Sequence, residues 1–153
     1  MDREQKLARY GRIREQLSGL LGRTSDRQAR MATIAALLYH KFDHYFWCGF
    51  YRLLDGDLVV GPYQGPLACQ VLARERGVCW AALQRRETVI VPDVRLFPGH
   101  IACDSRSLSE IVVPVRDASG AIVAVLDVDS DKTEQFDDLD RRGLEAVVAL
   151  LAH

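Results

Sequence analysis

Two apolar runs, each folded about a short polar turn, constrain this chain more than any other feature. In the first, "YFWCGFYRLL" (45–54) meets Asp55-Gly56 and returns as "DLVV". In the second, "EIVVPVR" (110–116) meets "DASG" and returns as "AIVAVLDVDS". Aromatic and β-branched residues on both sides of an Asp/Gly turn specify β-hairpins. A chain with hairpins near its middle and end must build a largely antiparallel sheet and cover at least one face of it.

The cover comes from helices. Leu7, Tyr10, Ile13, Leu17 and Leu20 recur at spacings of three and four, which predicts an amphipathic helix. "TSDRQ" offers Ser25 as N-cap with Gln28 as its capping-box partner, and Met31, Ile34, Leu37 and Leu38 line the helix that follows, to about Lys41. Between the hairpins, "GPYQGP" reads as a loop and "LACQVLA" as a strand. "GVCWAALQRRE" then reads as a short helix, and "TVIV" as a strand that stops at Pro92. Asp137 caps a last helix through "LEAVVALL". The expectation is one α+β domain over 1–153, with about six strands in its sheet. Helices fill 1–41, the sheet and its loops 45–130, and a final helix 137–152.

The length suits a single domain with a real core. A formal charge of -1, with basic residues scattered, gives no electrostatic case for nucleic acid or an anionic membrane. The charged N-terminus lacks the apolar core of a signal peptide, and no apolar stretch approaches the ~20 residues of a membrane span. The expected compartment is therefore the cytoplasm. There, Cys48, Cys69, Cys79 and Cys103 would not be permanent disulfides, but buried, metal-bound or redox-active thiols.

Pro92 to Ser109 has no secondary pattern of its own, and long structureless loops in compact domains are usually functional. Cys103 sits in it between His100 and Asp104, which fits an accessible reactive thiol better than a packing residue. Metal ligation is disfavoured: there is no C-x-x-C, and neither His40/His44 nor His100/Cys103 is followed by a second pair at zinc spacing.

Two constellations remain. With a four-residue loop, Glu110 faces Asp127 across the second hairpin, and Asp129 follows on the same face with Val123 and Val125. Like charges opposed in a sheet are destabilising, so the group calls for a cation among them or a carboxyl held protonated; a solvated hairpin end is the plainer alternative. Trp47, Gly49 and Tyr51 share one strand face, opposite Phe46, Cys48 and Phe50. Two large aromatics about a glycine leave a slot for an ammonium or a sulfur-bearing side chain, or simply pack a core.

"GFY", "GPYQGPLAC", "GVC", "GHIACDSRSLSEIVVPV" and "VLDVDS" together resemble the free methionine-(R)-sulfoxide reductases, which are built on the GAF fold. The resemblance runs from about Trp47 to Phe136. It implies that Cys103 is the nucleophile, Cys69 the resolving cysteine that closes a disulfide with it, and Cys79 an auxiliary thiol. It further implies that Glu110, Asp127 and Asp129 hold the substrate ammonium and assist proton transfer, with Trp47 and Tyr51 boxing the methyl-sulfinyl end. No cofactor and no metal are implied. The partners implied are free methionine sulfoxide and a thioredoxin-type reductant, with a homodimer left open. Trp80 departs from the glycine of the family pattern, and Cys48, where a small residue is usual, should simply be packed. A ligand-binding GAF sensor would need output elements, which the sequence does not offer after the last helix. A thiol redox sensor would use the same cysteines without turnover, so reductase activity separates all three.

Overall fold

A computed structural model describes residues 1–100 and 103–152. Ile101 and Ala102, inside the motif around Cys103, and the final His153 lie outside the described residues. Helices α1 (Arg3–Leu21) and α2 (Arg27–Lys41) precede strands β1 (Trp47–Leu54) and β2 (Asp57–Gln64). Helix α3 (Gly77–Arg85), strands β3 (Val89–Val91), β4 (Ser109–Arg116) and β5 (Ile122–Ser130), and helix α4 (Asp138–Val148) follow. A short 3-10 turn, Ala149–Ala152, extends α4, and another, Val94–Leu96, interrupts the long loop.

The strands form one antiparallel sheet in the order β2-β1-β5-β4-β3. Period-two alternation sends β1 and β5 side chains to two cores. Cys48, Phe50, Ala124, Leu126 and Val128 meet Ile13, Leu17, Ile34, Leu38 and Leu144 of α1, α2 and α4. Trp47, Tyr51, Val112 and Val125 face the other way, toward Val78, Cys79 and Ala82 of α3. No described helix is long and apolar enough to cross a membrane.

Helix α1 is fastened by a buried polar network rather than by leucines alone. Lys6 Nζ donates to Asp140 Oδ2 at 2.8 Å, and Tyr10 donates to Asp140 Oδ1 at 2.7 Å. The Tyr10 and Tyr45 hydroxyls pair at 2.7 Å. Gly143 lets α4 approach the Tyr10 ring so closely that a Cβ there would collide with it. Lys6 and Leu21 therefore take inward positions, while Leu7 and Leu20 of the expected stripe are exposed.

Several expectations change. The sheet has five strands, because "LACQVLA" makes only the isolated bridge Val59 to Val71. Pro62 on the edge strand β2 has no N–H to donate, so this outer pairing cannot propagate past it. "GPYQ", expected as loop, instead completes β2 by pairing Tyr63 with Gly49 and Gln64 with Cys48. The α2 cap is Asp26, whose carboxylate accepts from Ala29 N at 2.8 Å, and not Ser25. Ala35 replaces Leu37 among its fully buried residues. The β4–β5 register also shifts. Asp117 accepts from Ser119 N, Ser119 Oγ and Ala121 N, closing a loop one residue longer than expected. With a bulge at Val115/Arg116, Glu110 faces Asp129, while Asp127 faces Val112. Val123 turns toward the helix-side core.

Candidate active site

On the α3 side of the sheet a cavity of about 260 Å³ opens between the β1–β5–β4 surface, α3 and the two long loops. Cys69, Cys79, Cys103, Glu110, Asp127, Asp129, Trp47 and Tyr51 all line it. The sequence scatters these groups over six segments; the antiparallel order β1-β5-β4 brings the aromatic and acidic ones together, and α3 and the two loops carry the cysteines to them.

Cys69 and Cys103 are joined by a disulfide with their Cα atoms 5.6 Å apart. Each loop is anchored by groups at the cavity wall. Trp47 Nε1 donates to Pro66 O at 3.1 Å, and the Tyr51 hydroxyl donates to Cys69 O at 3.3 Å, so both rings hold the loop that carries Cys69. Beside Cys103, Asp104 binds Arg106 at 2.7 Å, which holds its carboxyl down at about 2. Arg106 in turn lies 4.9 Å from the Phe46 ring centroid. Phe46 thus belongs to the cavity side, not to the opposite face expected for it, because it precedes the first paired residue of β1.

The aromatic pair also differs from a slot. Trp47 and Tyr51 stack at 5.7 Å, and Trp47 stacks on Tyr63 at 5.2 Å. The Trp47 ring and Tyr63 Cβ fill the space above Gly49, where any side chain would overlap them. Glycine here admits a ring, and the rings form a flat apolar wall.

The carboxylates form the polar floor. Glu110 and Asp127 are each only 6% exposed. Burial first, then repulsion from Asp127 and Asp129, drives the Glu110 carboxyl well above its usual range. Burial and Asp127 do the same to Asp129. Asp127 is raised by burial too, but hydrogen bonds from Glu110 and Cys79 hold it back. Glu110 is thus the shared donor of the cluster, hydrogen-bonded to both aspartates, and Asp127 is the acid least raised of the three. Asp127 Oδ1 still has no partner. The Cys79 thiol, 5% exposed at the third position of α3, is pushed up by burial and by all three acids.

Cys48 lies on the other face of β1, fully buried against the helices, as expected of a packing residue. Trp80 is buried in the α3-side core and does not line the cavity. Sequence reasoning missed His100 as a cavity residue outside metal ligation. Both its ring nitrogens are buried without partners, and burial lowers its basicity. The only hint in the sequence was its spacing from Cys103.

The GAF domain profile matches residues 24–153. The chain is 45% identical over 147 residues to GAF domain-containing protein A of Dictyostelium discoideum, covering 95% of this chain and 92% of that protein. It is 40% identical over 142 residues to the free methionine-R-sulfoxide reductase of Escherichia coli K12, covering 93% and 86%. The X-ray structure of free methionine-R-sulfoxide reductase from Neisseria meningitidis in complex with its substrate superposes with a TM-score of 0.91. That alignment has 40% identity and covers 99% of this chain and 89% of that one. Sequence, fold and site agree: the chain belongs to the free methionine-R-sulfoxide reductase family, built on the GAF domain.

Proposed function

We propose that this protein reduces free L-methionine (R)-S-oxide to L-methionine, with Cys103 as nucleophile, Cys69 as resolving thiol and a thioredoxin-type dithiol as reductant. The observation that carries the reading is the Cys69–Cys103 disulfide, set in the wall of a cavity whose floor is a buried acid cluster.

A sulfoxide sulfur is a poor electrophile until its oxygen is protonated. Glu110 and Asp129, whose carboxyls burial and neighbouring carboxylates push well above their usual range, are the acids assigned to deliver that proton. The Cys103 thiolate attacks the sulfur of the protonated sulfoxide, an S–S bond forms, and the S–O bond breaks with loss of water. Water then attacks the Cys103 sulfur, the S–S electron pair returns to the methionine sulfur, and the products are methionine and Cys103 sulfenic acid. The Cys69 thiol then displaces water from that sulfenic acid and forms the disulfide. An external dithiol returns both cysteines to thiols by exchange and is itself oxidised.

Asp127, the least raised of the three acids and with one oxygen unpartnered, is assigned as the counter-charge for the substrate ammonium. Trp47 and Tyr51 offer the apolar wall for the methyl-sulfinyl group. Cys79 donates to Asp127 and is read as an auxiliary thiol, since burial keeps it protonated. The chain works as a single domain of the cytoplasm, where reduced dithiol proteins are available. A homodimer is compatible with this chemistry and is not required by it.

The experiment is a thioredoxin-coupled assay on separated R and S epimers of free methionine sulfoxide. NADPH consumption with the R epimer and none with the S epimer is expected. A disulfide that cycles with oxidant while neither epimer is reduced would make this protein a thiol sensor instead.

A further inference from the structure

We propose that Cys79, Glu110 and Asp127 form a site for one soft divalent cation of the zinc class, and that this cation shuts methionine sulfoxide out of the cavity. The exclusion rests on the substrate reading above; the cation site does not.

One ligand atom from each residue lies within 4.8 Å of the other two, and all three residues are buried. They come from α3, β4 and β5, elements fixed by the sheet and its packing, so small side-chain movements suffice to close them on an ion. An independent sign comes from Asp127, a cavity-lining residue only 6% exposed, whose buried Oδ1 has no hydrogen-bond partner. A buried oxygen of that kind calls for a cation or a donor.

The donor set selects the metal. Calcium takes six to eight oxygen ligands and magnesium an octahedron of them, which one thiol and two carboxylates do not supply. One sulfur and two oxygens suit tetrahedral zinc, with the fourth position left to water or to Asp129 beside Glu110. Binding balances as a proton exchange: the cation takes the place of the protons held by the Cys79 thiol and the carboxyl pair, which leave to solvent. Affinity must therefore rise with pH, in an environment also faced by Asp129 and Tyr51. The ion takes the same Asp127 oxygen as the substrate ammonium, so the two compete.

The oxidised protein isolates the site, because Cys69 and Cys103 are locked in their disulfide and only Cys48 and Cys79 remain as thiols. Cobalt(II) is the probe, since a thiolate ligand gives it a near-ultraviolet charge-transfer band. Titration should show that band at one cobalt per chain, removed by zinc and untouched by magnesium. Cys79→Ser should abolish it, and Cys48→Ser, in the helix-side core, should leave it intact. The nearly isosteric Asp127→Asn should keep the band while weakening binding about tenfold or more, which guards against misfolding of the serine variant. Free methionine sulfoxide should raise the apparent cobalt Kd in proportion to its concentration. No band in the wild type, or a band surviving in Cys79→Ser, overturns the site. A Kd indifferent to methionine sulfoxide overturns the exclusion. Absence of reductase turnover is read in the separate coupled assay, so the two failures are told apart.

Discussion

Acetylating the substrate's amino group removes the positive charge assigned to Asp127 without touching the sulfoxide. Asp127 is 6% exposed, is the least raised of the three acids, and has one oxygen without a protein partner. Removing one member of a buried charge pair costs ~3–5 kcal/mol, because the other is left uncompensated. Asp127 keeps donors in Cys79 and Glu110, which favours the lower end. A loss of about 3 kcal/mol corresponds to roughly a 150-fold lower kcat/KM. Methionine and N-acetylmethionine release can be followed by chromatography for both substrates, in wild type and in Asp127→Asn. The wild type should prefer the free amino acid by about two orders of magnitude. Asp127→Asn should lower efficiency on the free substrate and bring the two substrates close together. Equal efficiencies in the wild type, or an unchanged preference in the variant, would refute the assignment of Asp127 to the ammonium.

Other consequences are equally specific. Cys69→Ser should yield about one methionine per chain without added thiol and leave a trappable sulfenic acid at Cys103; normal cycling with thioredoxin would move resolution to Cys79. Lys6→Ala leaves Asp140 buried with only Tyr10 and the Asp137 amide as donors, a cost of about 3 kcal/mol. Thermal unfolding should fall by roughly 6–12 °C for a domain of this size, with turnover at low temperature preserved. The pH dependence follows from the sign of the carboxyl shifts. Glu110 and Asp129 have raised folded-state pKa values, so they contribute stability below their unfolded values and lose it as pH rises through the folded ones. Asp129→Asn should therefore gain stability over wild type above the ordinary carboxylate range, and denaturant titrations at acid and neutral pH should show that gain growing with pH.

How much of this was legible depends on how far apart the interacting residues lie. The hairpins were readable because strand period and turn chemistry are local. The exact pairing of β4 with β5 was not, since it turns on how Asp117 closes its loop. Glu110, Asp127 and Asp129 still fall on one face, because a shift of two residues preserves the face while a shift of one would reverse it. "LACQVLA" has a strand's composition, yet Pro62 on its neighbour stops the ladder, which only the tertiary pairing reveals. Lys6 reads as a surface residue until α4 brings Asp140 against it, 134 residues along the chain. Cys79, Glu110 and Asp127 have no ligand-like spacing in sequence, because three separate elements supply one atom each. Cys103 reads as a reactive thiol from its polar loop, but its pairing with Cys69 and their separate redox roles came from family motifs.

The central claim is that the Cys103 thiolate performs the attack, and a single turnover tests it without any reductant. Fully reduced wild-type protein mixed with excess free methionine (R)-sulfoxide should release about one methionine per chain and form the Cys69–Cys103 disulfide. Cys103→Ser under the same conditions should release none above the uncatalysed background, because a hydroxyl lacks the thiolate's nucleophilicity. Stoichiometric methionine from Cys103→Ser would contradict the account.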